Sequence, residues 1–188
     1  MNKNSFENLI NRFESEERLE WQKPEEVIDL FGDLNGKTVF DIGAGSGYFT
    51  FRLANRGANA IAADVDDRFL NYVSEKITST QDTLVSIRKT EYDNPKLSKE
   101  EVDHALIVNT YHHIDDRIDY FSKVFIGIKK GGSLMVVDFK KEKSDMGPPK
   151  RYRVSAEEAV NELKEAGFSD FAVHSDLLQF QYVLIATK

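Results

Sequence analysis

Apolar positions along this chain follow two rhythms that take turns. Short runs rich in β-branched and aliphatic residues occur at Lys37–Asp41, Ala60–Asp64, Thr83–Arg88, Asp103–Asn109, Ser133–Phe139, Ala172–His174 and Gln181–Thr187. Between them the spacing changes to that of one helix face. Phe69, Leu70, Val73 and Ile77 follow Asp66 and Asp67, which suit a helix N-terminus. Ile118, Phe121, Val124, Phe125 and Ile128 form a second face, which Gly131-Gly132 is expected to stop. Ser155 and Glu158 read as a capping box ahead of Ala159, Val160, Leu163 and Ala166, with Gly167 at the end. Strands alternating with helices of this length predict a parallel sheet covered on both sides. The last two runs leave no room for a helix between them. Their link, Ser175–Leu178, suits an antiparallel hairpin at a sheet edge.

Two helical patterns precede the first strand. Phe6, Leu9, Ile10 and Phe13 recur at i, i+3, i+4 and i+7; Pro24 suits the first turn of another, with Val27, Ile28, Leu30 and Phe31 inside and Gly32 at its end. The chain shows no repeat, low-complexity tract or linker, and 188 residues predict one domain.

The loop Gly43-Ala44-Gly45-Ser46-Gly47 follows the first strand and opens a helix. Open parallel sheets bind ligands there, and glycines let a ligand approach the backbone closely. A dinucleotide fingerprint needs G-x-G-x-x-G, but Tyr48 occupies the place of its third glycine. The Gly-Lys-Ser/Thr ending of a triphosphate loop is also missing. The segment Asp41-Ile42-Gly43-Ala44-Gly45-Ser46-Gly47 instead resembles motif I, [DE]-x-G-x-G-x-G, of the class I S-adenosylmethionine-dependent methyltransferases.

The resemblance extends from about Pro24 to the C-terminus. Asp64 ends the second strand, Thr90-Glu91-Tyr92-Asp93 follows the third, and Asn109-Thr110-Tyr111-His112-His113-Ile114 follows the fourth. Gly131-Gly132-Ser133 stands where the family has a Pro-Gly-Gly turn, with Lys130 for the proline. Together these look like the small-molecule branch, similar to ubiquinone/menaquinone-type enzymes. They imply a Rossmann-like α/β fold with a seven-stranded, mostly parallel sheet in the order 3-2-1-4-5-7-6, the last strand antiparallel. They also imply S-adenosylmethionine as cofactor, in contact with Asp41, Gly43, Ala44, Gly45, Tyr48, Asp64, Val65, Glu91, Tyr92 and Asn109. Asp41 would face the cationic amino end. Asp64 would accept from the ribose diol, as a carboxylate can from two O–H groups, unless it serves only at the next helix N-terminus. Glu91 or Asp93 would meet adenine.

Methyl transfer from a sulfonium is an in-line displacement, so alignment of the nucleophile carries most of the task. A base is needed only where the acceptor bears a proton. His112 and His113 are the candidates, since histidine as a residue type is the usual general base, and Tyr111 could orient the acceptor. All three could equally serve packing and capping. A two-histidine metal site is not expected, because neighbours on a strand point to opposite faces. Lys140–Arg153 is a basic loop stiffened by Gly147-Pro148-Pro149. Arg151 and Arg153 would read an anionic acceptor there, or the loop is simply solvated. Residues 1–23 are a candidate lid, with Phe6, Phe13, Trp21 and Tyr48 as walls of a mostly apolar pocket or as ordinary packing.

Composition narrows the chemistry. The chain has no cysteine, which removes thiol nucleophiles, thiolate metal sites and cysteine-dependent arsenite methylation. The 25 basic against 32 acidic residues give a net charge of −7, unlike the footprint of a nucleic-acid binder. The signature of amino-methylating DNA enzymes, Ser/Asp/Asn-Pro-Pro-aromatic, is absent after the fourth strand. No signal-peptide core or membrane-length apolar run is present, so a cytoplasmic location is expected. The expectation is methyl transfer to a small molecule. The alternatives are a non-catalytic S-adenosylmethionine-binding module and a nicotinamide-dependent oxidoreductase.

Overall fold

The computed structural model describes residues 3–188. Seven strands form one sheet: β1 (Thr38–Ile42), β2 (Asn59–Asp64), β3 (Val85–Lys89), β4 (Val102–Val108), β5 (Ile128–Phe139), β6 (Ser169–His174) and β7 (Gln181–Thr187). Their order is β3-β2-β1-β4-β5-β7-β6. β7 runs antiparallel to both its neighbours and the other pairings are parallel. The helices are α1 (Lys3–Phe13), α2 (Glu17–Gln22), α3 (Pro24–Asp29), α4 (Tyr48–Asn55), α5 (Asp67–Thr80), α6 (Arg117–Gly127) and α7 (Ala156–Glu165). The order and orientation are those expected from the sequence.

The continuous apolar runs divide by alternation between two cores. In β4, Ala105 and Ile107 face one side of the sheet, with Phe40 and Ile42 of β1 and with Phe121 and Val124 of α6. Leu106 and Val108 face the other, with Val39, with Leu53 of α4 and with Val27 and Ile28 of α3. A strand buried on both faces has no polar position to spare, which is why these runs lack the polar alternation of a half-exposed strand.

Helix ends follow local chemistry. Asp66 caps α5 by accepting from Arg68 N–H, and the Ser155–Glu158 capping box opens α7 as expected. Two local expectations are corrected. The N-terminal stretch holds three helices rather than two, with Lys23 in the left-handed region between α2 and α3. Gly131-Gly132 does not stop α6, which ends at Gly127; β5 already begins at Ile128, paired with Val102. The pairing register shifts between Val102 and His104, and a Cβ on Gly132 would stand 2.1 Å from the Asp103 carbonyl oxygen. The glycines thus serve an irregularity in the sheet. Of the candidate lid, Met1 and Asn2 lie outside the described residues. Among the described residues no helix is long and apolar enough to cross a membrane.

Candidate active site

Strand order reverses between β1 and β4, and the glycine loop rises at that crevice. Gly43, Gly45 and Gly47 all have positive φ. At Gly43 the requirement is double, since a Cβ would lie 2.7 Å from the Thr110 side chain. The loop therefore abuts the segment leaving β4. The N–H groups of Gly43 and Ala44 donate to the Ala63 carbonyl, at 2.8 and 3.0 Å.

Two buried acids flank the loop. Asp64 accepts from Gly45 N–H and Asp66 N–H, each at 2.9 Å, and burial raises its pKa. One carboxylate thereby ties the loop to the end of β2. Asp41 accepts from the Thr50 hydroxyl at 2.6 Å, and burial pushes its pKa up to about 6 against that bond and the nearby Arg18 charge.

Above the loop lies a cavity of about 720 Å³, a size typical of small-molecule sites. Gly43–Ser46 forms its floor, and Asn109, Thr110, His112 and His113 form one wall. Phe13, Arg18 and Trp21 form another, and Met146–Pro148 of the loop after β5 closes the rim. Phe13 also stacks on Phe69 of α5, with ring centroids 5.8 Å apart. Of the four aromatic residues expected as walls, Phe13 and Trp21 line the cavity, and Phe6 and Tyr48 do not. Asn109 sits there with φ +57, its Oδ1 accepting from the Gln181 amide, whose own oxygen accepts from buried Gln22 at 2.9 Å.

The two histidines differ in support. Asp138 is fully buried at the end of β5, within 2.9 Å of His112 Nδ1, and it accepts from His112 N–H at 3.1 Å. A carboxylate on Nδ1 fixes that nitrogen as the donor and leaves Nε2 as the proton acceptor. His113 packs on the His112 ring at 4.1 Å, and burial, then the neighbouring ring, lowers its pKa.

Several expected site residues point elsewhere. Tyr111 is fully buried; it donates to Glu162 at 2.7 Å and stacks on Phe121, so it is a core residue that does not line the cavity. Burial raises its pKa far beyond the ordinary phenol value. Arg153 is also buried, and its guanidinium donates to the carbonyls of Lys140, Glu142, Met146 and Pro148. It clamps the loop and has no edge left for an acceptor. Arg151 lies against Tyr152, away from the cavity. The Tyr48 ring is covered by Arg18 and Arg52, with cation–ring distances of 4.1 and 3.8 Å. Glu91 pairs with Lys96 at 2.8 Å and Tyr92 is 82% exposed. The Val65 carbonyl accepts from Lys89. Asp93 offers its carbonyl to Lys123. None of these lines the cavity.

The sequence reading missed Arg18, Ser46, Gln22 and Asp138. Arg18 hides in the charged run Glu14–Glu20, which reads as a solvated face. Asp138 carried a usable signal, since it ends an apolar strand just as Asp41 and Asp64 do.

Comparison with known proteins gives the class this geometry describes. A model of a family described as a methyltransferase domain matches residues 40–136. The chain belongs to that family, and its sheet order is that of a class I S-adenosylmethionine-dependent methyltransferase. A crystal structure of an S-adenosylmethionine-dependent methyltransferase from Aquifex aeolicus superposes with a TM-score of 0.88 at 27% identity, covering 95% of this chain and 96% of that one. Among curated relatives, phosphoethanolamine N-methyltransferase 2 of Caenorhabditis elegans is 26% identical over 124 residues, 63% of this chain. A tRNA U34 carboxymethyltransferase of Dichelobacter nodosus is 28% identical over 123 residues, 62% of this chain. The matches span 28% and 38% of those two proteins, so this chain corresponds to a minority of their length. Phosphoethanolamine N-methyltransferase 2 of Haemonchus contortus, in complex with S-adenosyl-L-methionine, shares the fold at a TM-score of 0.77 and 16% identity, over 89% of this chain and 52% of that one.

S-adenosylmethionine is the cofactor of this family, and the residues present fit it. Ser46 is buried with no partner for its hydroxyl, and it lines the cavity at the glycine loop. A carboxylate (Asp41) and a guanidinium (Arg18) lie near enough to feel each other's charge. That suits a ligand with an amino-acid end.

Proposed function

We propose that this chain transfers a methyl group from S-adenosylmethionine to a small acceptor bound in the 720 Å³ cavity, and that the acceptor carries a proton which His112 removes. The His112–Asp138 pair carries this reading. When bound, the cofactor supplies an electrophilic methyl group on sulfur. The glycine-loop backbone, which lines the cavity, would position it, with the buried carboxylates Asp41 and Asp64 close behind the lining, while Trp21, Phe13 and Met146–Pro148 would screen the reacting atoms from water. Asp138 holds the imidazole so that Nε2 takes the proton from an amine, hydroxyl or thiol as that atom attacks in line. Tyr111, buried and bonded to Glu162, has no part in it.

Arg12 and Arg18 face Glu17 and Asp145 around the cavity, so the walls bring both signs of charge to the acceptor. The name of the phosphoethanolamine relative makes charged amines the first acceptors to try. The experiment is S-adenosylhomocysteine release across a panel of small amines, alcohols and thiols, with tRNA as a macromolecular control. Turnover of a small acceptor that falls about 100-fold in His112→Ala, with the fold intact, is expected. Turnover of tRNA alone overturns the small-acceptor reading. Full activity in His112→Ala overturns the base.

A further inference from the structure

Arg18 is an arginine that the fold buries without a salt bridge. It is 8% exposed and makes no ion pair among the described residues. Its Nη1 donates to the Phe13 carbonyl at 2.7 Å, its Nε donates to Gln22, and its face covers the Tyr48 ring at 4.1 Å. A guanidinium has five N–H donors, so these bonds leave its outer edge unused. Arg18 lines the cavity. Burying an unpaired cation is costly, and burial pulls the Arg18 pKa down to about 10. Protein groups nevertheless fix its orientation. Gln22, itself fully buried, is held by Gln181, which reaches Asn109 on the opposite wall.

A second group on the same cavity is also unsatisfied. The Ser46 hydroxyl, in a residue 1% exposed, has no hydrogen-bond partner. A cationic fork and a hydroxyl, both on residues that line one cavity, are complementary to a carboxylate. Asp41, the neighbouring negative charge, is complementary to an ammonium. Two opposite charges within electrostatic reach of each other match a zwitterionic amino-acid group, which the cofactor carries at its methionine end. Arg18 lies outside residues 40–136 matched by the family model, so the assignment comes from this chain's own N-terminal segment.

We propose that Arg18 and Ser46 form a carboxylate subsite that binds the α-carboxylate of S-adenosylmethionine. The inference rests on that compound being the cofactor. Its rival is an anionic group on the acceptor, and a third reading makes Arg18 only a staple between α1 and α2.

Calorimetric titration separates them, using S-adenosylhomocysteine and its decarboxylated counterpart, which lacks only that carboxylate. The wild-type protein is expected to bind S-adenosylhomocysteine about 10- to 150-fold more tightly. Equal affinity overturns the proposal without recourse to any variant. Arg18→Met is expected to lose most of that discrimination, binding S-adenosylhomocysteine more weakly while its affinity for the decarboxylated compound changes less than about threefold. Ser46→Ala is expected to lose a smaller share in the same direction. Arg18→Lys keeps the charge and much of the packing should Arg18→Met not fold, and it is expected to fall between the two. An Arg18 variant that weakens both ligands equally overturns the subsite in favour of the staple. One that spares both but raises KM for an anionic acceptor overturns it in favour of the acceptor. Failure of the wild type to bind either ligand contradicts the cofactor itself, a result distinct from all of these.

Discussion

At the scale of single residues, buried charge decides most. Asp41 has a folded pKa of about 6 against an ordinary value of 3.8. The native state therefore keeps this proton to higher pH than the unfolded chain does. Stability attributable to Asp41 falls as pH rises from about 4 to about 6, and the full cost is present above that window. Two pKa units correspond to about 3 kcal/mol. Asp41→Asn is thus expected to raise the stability of the ligand-free protein at pH 7.5, by on the order of 2–3 kcal/mol, while it weakens cofactor binding. Thermal denaturation at pH 7.5 and pH 4 checks this, and the gain should vanish at pH 4. An equal or lower Tm at pH 7.5 would show that the ionised acid is already compensated in the free protein. Arg153 gives the opposite case. Its guanidinium satisfies loop carbonyls that have nowhere else to turn. Arg153→Met should cost about 2–4 kcal/mol in urea denaturation and raise KM for charged and neutral acceptors by the same factor. A rise confined to anionic acceptors would restore a direct role in reading charge.

Individual elements were legible where chemistry acts locally. The Ser155–Glu158 capping box and the Asp66 cap could be read because each involves neighbours in the chain. The end of α6 was not, because Gly131 and Gly132 answer to Asp103 and Val102 across the sheet. The same limit hid the docking of α1. Glu14, just past its end, accepts from Tyr72 at 3.1 Å and pairs with Lys76 at 2.8 Å, both on α5. Phe6 and Phe13 pack on Phe69 of that helix. These contacts hold α1 over Gly45, where a Cβ would stand 3.3 Å from the Phe13 ring. Glu14→Ala should loosen this latch with little effect on the main core. Faster amide exchange in α1 and faster release of S-adenosylhomocysteine are expected, by roughly 3- to 10-fold for a part-exposed ion pair plus one hydrogen bond. Unchanged exchange in α1 would mean the aromatic contacts alone secure it.

The whole molecule makes one site out of parts that sequence order keeps apart. The glycine loop and Asp64 belong to the β1–β2 half of the sheet, and His112 and Asp138 to the β4–β5 half. Arg18 and Trp21 come from a segment that precedes the sheet altogether. Motif spacing exposes the first part because backbone geometry demands glycine there. It identifies the second only as a pair of histidines, since the carboxylate that distinguishes them is far away in the chain. Of the third, the sequence offers Trp21 as a pocket wall but misses Arg18, because a buried arginine and a solvated one look alike in sequence. A ligand touching all three parts binds only the folded state, so it stabilises by mass action, by about 2.7 kcal/mol at a concentration of 100 Kd. At 2–4 °C per kcal/mol for a domain of this size, S-adenosylhomocysteine is expected to raise Tm by roughly 5–11 °C. Amide protection should rise together in the glycine loop, in α1–α2 and at the end of β4, and stay unchanged in the β6–β7 hairpin. Protection confined to the glycine loop would separate the N-terminal helices from the site and leave Arg18 without a ligand.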